Sequence, residues 1–185
     1  MNRDAIDQDF AEIARLYSRY VLDTAYTFED IPPSVDELLR RFHANKARGL
    51  PARVSEAGFG IDGFAYASPY HERHCYRFTV QVSLFVDEKD EWGVVGESLL
   101  SDIIRRCGEL GYAQILAVVG DTENEPYLNL FARMGFRTIG QALRVGSKFG
   151  RWVDIVLLQY TLIEADIPPS DDPAGYHRPL EQTGP

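Results

Sequence analysis

The residues from 87 to 97 combine the backbone pattern of an anion-binding turn with side chains that repel anions. They follow a strand-like run, FTVQVSLFV, precede a helix-like run, ESLLSDIIRRCGEL, and include Gly93 and Gly96. Unpaired N–H groups and the helix dipole favour a phosphate group at such a turn by roughly 0.3–1 kcal/mol. Five acids and one lysine give the segment a net charge of −4, and each acid within about 6 Å would oppose a phosphate by roughly 0.5–3 kcal/mol. A phosphate site and the remains of one are both open.

A second candidate for chemistry is the strand pattern at 78–86. One parity is apolar and the other carries polar side chains, at Thr79, Gln81 and Ser83. In a central strand covered on both sides, these polar groups need a cavity or a ligand. At the edge of a sheet they would face water instead. The pattern alone leaves both interpretations open.

The stretch HERHC at 71–75 contains residue types found in metal and Cys/His sites. It has the pattern of a loop and a strand, and His43 and His177 are the only further imidazoles. A closed metal site needs three or four converging ligands, so we expect no metal. We also expect Cys75 and Cys107 to be reduced thiols.

These candidates depend on a framework of alternating strands and helices. Period-two patterns and short apolar runs predict strands near 1–5, 51–57, 60–70, 78–86, 114–120, 136–146 and 151–162. Helical spacing predicts helices over 7–22, from a Ser34 cap onward, over 96–110 and over 124–134. Asn124 is a plausible cap, and the strand 114–120 suits burial on both faces. The order predicts a mixed α/β sheet with helices on both faces.

The composition limits the partners and the compartment. A chain of 185 residues with a net charge of −9 lacks the basic stripe that nucleic acid or an anionic membrane would require. We find neither a signal peptide nor an apolar run long enough to span a membrane, and expect a cytoplasmic protein. Residues 1–163 are predicted to form one domain, and the acidic, proline-rich tail 164–185 to be partly disordered.

Two longer stretches of the sequence resemble a known family. GFAYASPYHERHCYRFTVQVSLFV and GYAQILAVVGDTENEPYLNLFARMGFRTIGQALRVGSKFGRWVDIVLLQ are similar to the phosphinothricin and methionine sulfone N-acetyltransferases, a branch of the GNAT superfamily. The resemblance covers about residues 1–162 and implies the GNAT fold, with the strands 78–86 and 114–120 splayed apart. Acetyl-CoA would lie in that V, and the amine of a small amino-acid-like substrate would attack its thioester.

The resemblance also implies roles for particular residues. Gln81 would occupy the relay position for the amine proton, and Arg73, Tyr76 and Lys148 would hold the substrate. The cofactor would contact Asn124 and four further residues, namely Leu84, Phe85, Val86 and Gly96. Relatives are often dimers, which implies a homodimer.

The sequence departs from the family pattern where the chemistry would occur. Glu91 stands where the family has Arg or Gln in its pyrophosphate loop, and Val94 stands where it has a glycine. Gln81 stands where the family has a glutamate that is proposed to deprotonate the amine. An amide cannot take a proton at neutral pH, so Gln81 cannot serve as that base. Phe149 and Phe131 replace histidines. The sequence therefore favours an N-acetyltransferase with a degenerate pyrophosphate loop, with a GNAT-fold binding or regulatory module that has lost catalysis as the alternative.

Overall fold

A seven-stranded mixed sheet forms the centre of the computed structural model, which describes residues 1–56, 60–90, 93–121, 123–164, 168–174 and 176. The strands are β1 Asn2–Asp4, β2 Ala52–Glu56, β3 Ile61–Pro69, β4 Thr79–Val86, β5 Gln114–Gly120, β6 Arg137–Lys148 and β7 Arg151–Thr161. The helices are α1 Phe10–Asp23, α2 Val35–Ala47, α3 Val94–Glu109 and α4 Glu125–Arg133. The spatial order is β1-β2-β3-β4-β5-β7-β6. Of the neighbouring pairs, only β4 and β5 run parallel.

Two apolar cores lie on opposite faces of this sheet. On one face the rings of Phe10, Phe42 and Phe64 connect α1 and α2 to β3, with centroids 4.8 and 6.1 Å apart. On the other face α3 and α4 pack through fully buried side chains such as Leu99 and Leu130. The predicted mixed α/β sheet with helices on both faces is confirmed.

The position of β4 decides between the two interpretations of its alternating pattern. It is the fourth of seven strands, with β3 and β5 on either side. Its apolar residues, from Val80 to Val86, face α3 and α4 and are buried, and the polar ones lie on the face of α1. The edge-strand interpretation is therefore wrong, and the polar side chains lie inside the molecule.

The structure corrects two predictions about these elements, the start of α3 and the burial of β5. Helix α3 begins at Val94, two residues earlier than predicted, because the Gly93 carbonyl accepts a hydrogen bond from the Glu97 N–H at 3.1 Å. Strand β5 is not buried on both faces, since Val118 is 36% exposed. The predicted cap of α2 is confirmed by the Ser34 hydroxyl, which accepts from the Glu37 N–H at 3.2 Å.

The described part of the tail contacts the domain. Asp172 accepts a hydrogen bond from Arg77 at 2.5 Å, and the Ala174 N–H donates to the Leu110 carbonyl at 2.7 Å. The rest of the predicted disordered segment, residues 165–167, 175 and 177–185, lies outside the described residues, as do Gly58 and Glu91. Among the described helices, none has the length and apolar character needed to cross a membrane.

Candidate active site

Strands β4 and β5 separate part of the way along their length. Their pairing covers three residue pairs, from Thr79 opposite Gln114 to Gln81 opposite Leu116, whereas β4 continues to Val86 and β5 to Gly120. β5 follows β7 along its whole length, so it diverges from β4 beyond Gln81. A cavity of about 290 Å³ lies in the resulting V. The predicted splay is thus present, and Gln81 lies at its vertex.

Tyrosine side chains dominate the wall of this cavity. Tyr17, Tyr20, Tyr26, Tyr66 and Tyr127 all line it. Burial raises the pKa of each phenol, that of Tyr17 to about 12, so all five stay neutral near pH 7 and can donate hydrogen bonds. No carboxylate, imidazole, ammonium or guanidinium group is found among the described residues of the lining.

The hydroxyl of Tyr20 occupies both backbone polar groups of Val86. It donates to the Val86 carbonyl at 2.8 Å and accepts from the Val86 N–H at 3.0 Å. Val86 is one of the five residues that the family resemblance places in contact with the cofactor. Its polar groups become available only if Tyr20 moves. Leu84 and Phe85 also line the cavity, and the Leu84 backbone is hydrogen-bonded to Tyr127.

Asn124 is a buried polar residue of the cavity wall whose side chain has no hydrogen-bonding partner among the described residues. It precedes α4, but its side chain makes no capping hydrogen bond, so the predicted capping role is wrong. The residue is 1% exposed and lines the cavity, and neither Oδ1 nor Nδ2 has a partner among the described residues. Leaving a buried amide unpaired costs about 1–3 kcal/mol of stability. An unpaired amide in a cavity wall is therefore typical of a group that a bound ligand satisfies.

The N-terminus of α3 is closed by a carboxylate of the chain itself. Asp90 accepts hydrogen bonds from the N–H groups of Val95 and Gly96, each at 3.0 Å. Of the other acids in the predicted phosphate turn, Glu97 pairs with Arg133 at 2.9 Å. Val94 is 81% exposed, and Glu91 lies outside the described residues.

Two further acids of that turn, Asp87 and Glu88, pair with one arginine. Arg19 of α1 lies 3.6 Å from a carboxylate oxygen of Asp87 and 3.2 Å from one of Glu88. The three side chains border a second cavity of about 480 Å³ next to Tyr20 and Tyr26. Any group of a ligand that extends from the V toward α3 therefore passes acidic side chains.

Three predicted substrate residues do not line the cavity. Arg73 and Tyr76 are exposed on the turn before β4, where Tyr76 contacts the rings of Tyr70 and His71. Lys148 is 5% exposed, and its Nζ donates to the Thr27 carbonyl at 2.9 Å. Burial lowers the pKa of Lys148.

Lys148 instead fixes the loop that follows α1. Thr27 and Phe28 of this loop line the cavity, and the Thr27 hydroxyl lies 3.1 Å from the Tyr17 hydroxyl. The Phe28 ring lies against Gly146, where a Cβ atom would clash with the ring. The loop thus forms one wall of the V.

The two phenylalanines that replace family histidines lie in different places. Phe149 occupies the turn between β6 and β7, with φ of 52°, is 60% exposed and does not line the cavity. Phe131 is fully buried and stacks on Tyr127 with ring centroids 4.5 Å apart. Sequence reasoning missed the five cavity tyrosines, because tyrosine at helical or strand spacing resembles an ordinary core residue.

Comparison with known proteins supports the resemblance seen in the sequence. A family model described as the acetyltransferase (GNAT) domain matches residues 3–157. The phosphinothricin N-acetyltransferase of Alcaligenes faecalis is 37% identical over 160 residues, which cover 86% of this chain and 81% of that protein. The L-methionine sulfoximine/L-methionine sulfone acetyltransferase of Salmonella typhimurium is 31% identical over 169 residues, which cover 90% and 96%.

Solved structures give the same result. The crystal structure of a GNAT superfamily phosphinothricin acetyltransferase from Sinorhizobium meliloti in complex with AcCoA matches with a TM-score of 0.87 and 32% identity. The match covers 93% of this chain and 94% of that one. The predicted fold and family resemblance are confirmed.

Proposed function

Because the chain belongs to the GNAT acetyltransferase family, we propose that it transfers the acetyl group of acetyl-CoA to the amine of a small amino-acid-like substrate. The observation that carries this proposal is the V between β4 and β5, with the unpaired amide of Asn124 in its wall. The relatives are N-acetyltransferases of such substrates, and nothing in these comparisons favours a degenerate binding module. Acetyl-CoA does not cross membranes unaided, which supports the cytoplasm as the compartment.

The reaction needs an uncharged amine and a leaving thiol. The amine nitrogen forms a bond to the thioester carbonyl carbon, the carbon–sulfur bond breaks, and the amine loses one proton while the thiolate gains one. At neutral pH no described side chain of the cavity wall can take that proton, since the wall holds amides, hydroxyls and neutral phenols. Gln81 at the vertex would orient the amine or a water molecule, and the ammonium would lose its proton to solvent before attack.

The substrate's carboxylate would bind at the turn before β4, next to the end of β4 that is paired with β5. Arg73 and Tyr76 lie on the turn that leads directly into β4, and a guanidinium can bind a carboxylate through two parallel hydrogen bonds. For Lys148 we propose an indirect role through the loop that it fixes, because its ammonium is buried against the Thr27 carbonyl.

The test of this function is acetyl transfer to defined acceptors. Purified protein is incubated with acetyl-CoA and, in turn, phosphinothricin, methionine sulfoximine, methionine sulfone and the common amino acids, and both free thiol and the N-acetyl product are measured. At least one acceptor should give equal amounts of the two. Thiol release without acetylated amine would reject the proposal in favour of thioester hydrolysis. No turnover with any acceptor would reject it in favour of the binding module.

The pH dependence should show that the protein supplies no base. In the wild type, kcat/KM for the acceptor should rise about tenfold per pH unit up to the pKa of the acceptor's own amine, because only the uncharged amine attacks. Gln81→Glu places a carboxylate at the vertex and should flatten this rise, with a gain of roughly tenfold or more at pH 6.5. A wild-type profile already flat below pH 7 would show that another group accepts the proton. Gln159→Glu, on β7, is the control for the added charge.

We propose further that two copies pair through β6. This outer strand is 12 residues long and has exposed apolar side chains at Ile139, Leu143 and Val145, which are 52%, 66% and 53% exposed. An unpaired strand edge of this kind is a template for another strand. Sedimentation equilibrium should give about twice the chain mass of 20.9 kDa, and Leu143→Lys should lower it. A wild-type mass of one chain would refute this pairing.

A further inference from the structure

Asp90 takes the hydrogen-bond donors that a diphosphate would need. The N-terminus of α3 offers the N–H groups of Val95 and Gly96, and the two Asp90 carboxylate oxygens accept one each at 3.0 Å. Helix N-termini attract anions because these N–H groups and the helix dipole point outward. Here the attracted anion is a side chain from the turn immediately before the helix.

The surroundings of this contact do not favour a second anion. Gly96 packs against α4 on its side-chain side, where a Cβ would lie 2.9 Å from Leu130 Cδ2, and an Asp90 carboxylate oxygen lies 3.8 Å from the same point. The nearby guanidinium of Arg19 already binds Asp87 and Glu88. An incoming diphosphate would therefore have to displace one carboxylate and approach others.

In the V between β4 and β5, by contrast, a buried polar side chain lacks hydrogen-bonding partners among the described residues. The Asn124 amide is 1% exposed with both polar atoms unpartnered among the described residues, and the cavity that it lines measures about 290 Å³. Pantetheine is an uncharged chain with two amide groups, and its amides could pair with such a side chain. The amide that needs a ligand thus lies on the pantetheine side, whereas the N–H groups of Val95 and Gly96, on the diphosphate side, are satisfied by Asp90.

On the basis of the acetyl transfer proposed above, we infer that the protein recognises its acyl donor through the pantetheine thioester arm, and that Asp90 excludes the donor's diphosphate from the N-terminus of α3. Asp90 is then a specificity-determining residue. Acyl donors without the nucleotide, such as S-acetyl-pantetheine, should serve nearly as well as acetyl-CoA.

The test is a comparison of binding, which needs no acetyl transfer. Calorimetric dissociation constants are measured for coenzyme A and for pantetheine with the wild type, Asp90→Asn and Glu97→Gln. Asn at position 90 can still accept from one helix N–H and so keeps part of the cap. Glu97→Gln removes the same charge from the first turn of α3 without touching those N–H groups, and the thermal midpoint of each variant reports folding.

The wild type should bind the two ligands within about tenfold of each other, or 1.4 kcal/mol. Asp90→Asn should tighten coenzyme A at least tenfold and leave pantetheine unchanged, and Glu97→Gln should change either constant less than threefold. Three results would overturn the inference. The wild type could bind coenzyme A more than a hundredfold more tightly than pantetheine, the two variants could have equal effects, or neither ligand could bind. Because the readout is binding, a failure of acetyl transfer alone would count against the proposed function and not against the role of Asp90.

Discussion

Replacing Asn124 by Leu should weaken the binding of acetyl-CoA while stabilising the fold. The side chain is buried, and its amide has no partner among the described residues. An apolar residue of similar size removes that unpaired amide, so the free energy of unfolding should rise by about 1 kcal/mol or more. The donor loses a hydrogen-bonding partner in the same cavity, and an unpaired amide of the ligand costs about 1–3 kcal/mol, which corresponds to roughly 5–150-fold in the dissociation constant.

The opposite signs of the two effects make this prediction specific. Calorimetric titration gives the dissociation constant, and urea unfolding gives the stability. Asn129→Leu makes the same chemical change at an exposed position of α4 and should alter the stability by no more than about 0.5 kcal/mol. A loss of both affinity and stability in Asn124→Leu would show that the amide supports the fold and does not bind the donor.

Gly120→Ala should lower kcat/KM for the acceptor amine about a hundredfold. Gly120 ends β5, and a Cβ there would lie 2.6 Å from the Ala25 carbonyl oxygen and 3.0 Å from that of Tyr26. These are backbone atoms, which cannot rotate away, so the loop after α1 must shift. Tyr26 and Phe28 would move with it, and both line the cavity. A displacement of about 1 Å at a reacting centre can cost 10²-fold in rate.

The same glycine substitution elsewhere in the sheet provides the control. At Gly140 on β6 a Cβ would lie 3.8 Å from Leu157 Cδ1, an ordinary contact. Gly140→Ala should keep kcat/KM within threefold of the wild type. Gly120→Ala should also cost about 1–3 kcal/mol of stability, so the kinetics are measured well below its thermal midpoint. Wild-type kinetics for Gly120→Ala would show that the position of this loop does not control the site.

The framework could be predicted because each element follows from a local pattern. The alternation at 78–86 and the capping serine at position 34 specify a strand and a helix start without reference to distant residues. Gln81 could be placed in a polar cavity once the strand was central. The start of α3 was missed by two residues, because it depends on the conformation of Gly93, which the sequence pattern does not determine.

The candidate site depends more strongly on contacts that are distant in sequence. Tyr20 fits the apolar stripe of α1, and nothing local reveals that its hydroxyl meets Val86, 66 residues away. The acids at 87–97 give a net charge but no directions, so the inward position of Asp90 and the outward pairing of Glu97 could not be told apart. Asn124 has the residue type of a cap, and only the packing around α4 shows that its amide lies in the cavity.

The hydroxyl of Tyr20 also has a consequence for aggregation. Beyond Gln81, β4 is not paired with β5, and unpaired strand edges can recruit segments of other chains. Tyr20 covers the end of this edge by holding both polar groups of Val86. Replacing Tyr20 by a shorter residue to enlarge the acceptor cavity would therefore expose the unpaired backbone groups of Val86. Variants engineered for bulkier amines should keep a hydroxyl at position 20, so that they do not aggregate at high concentration.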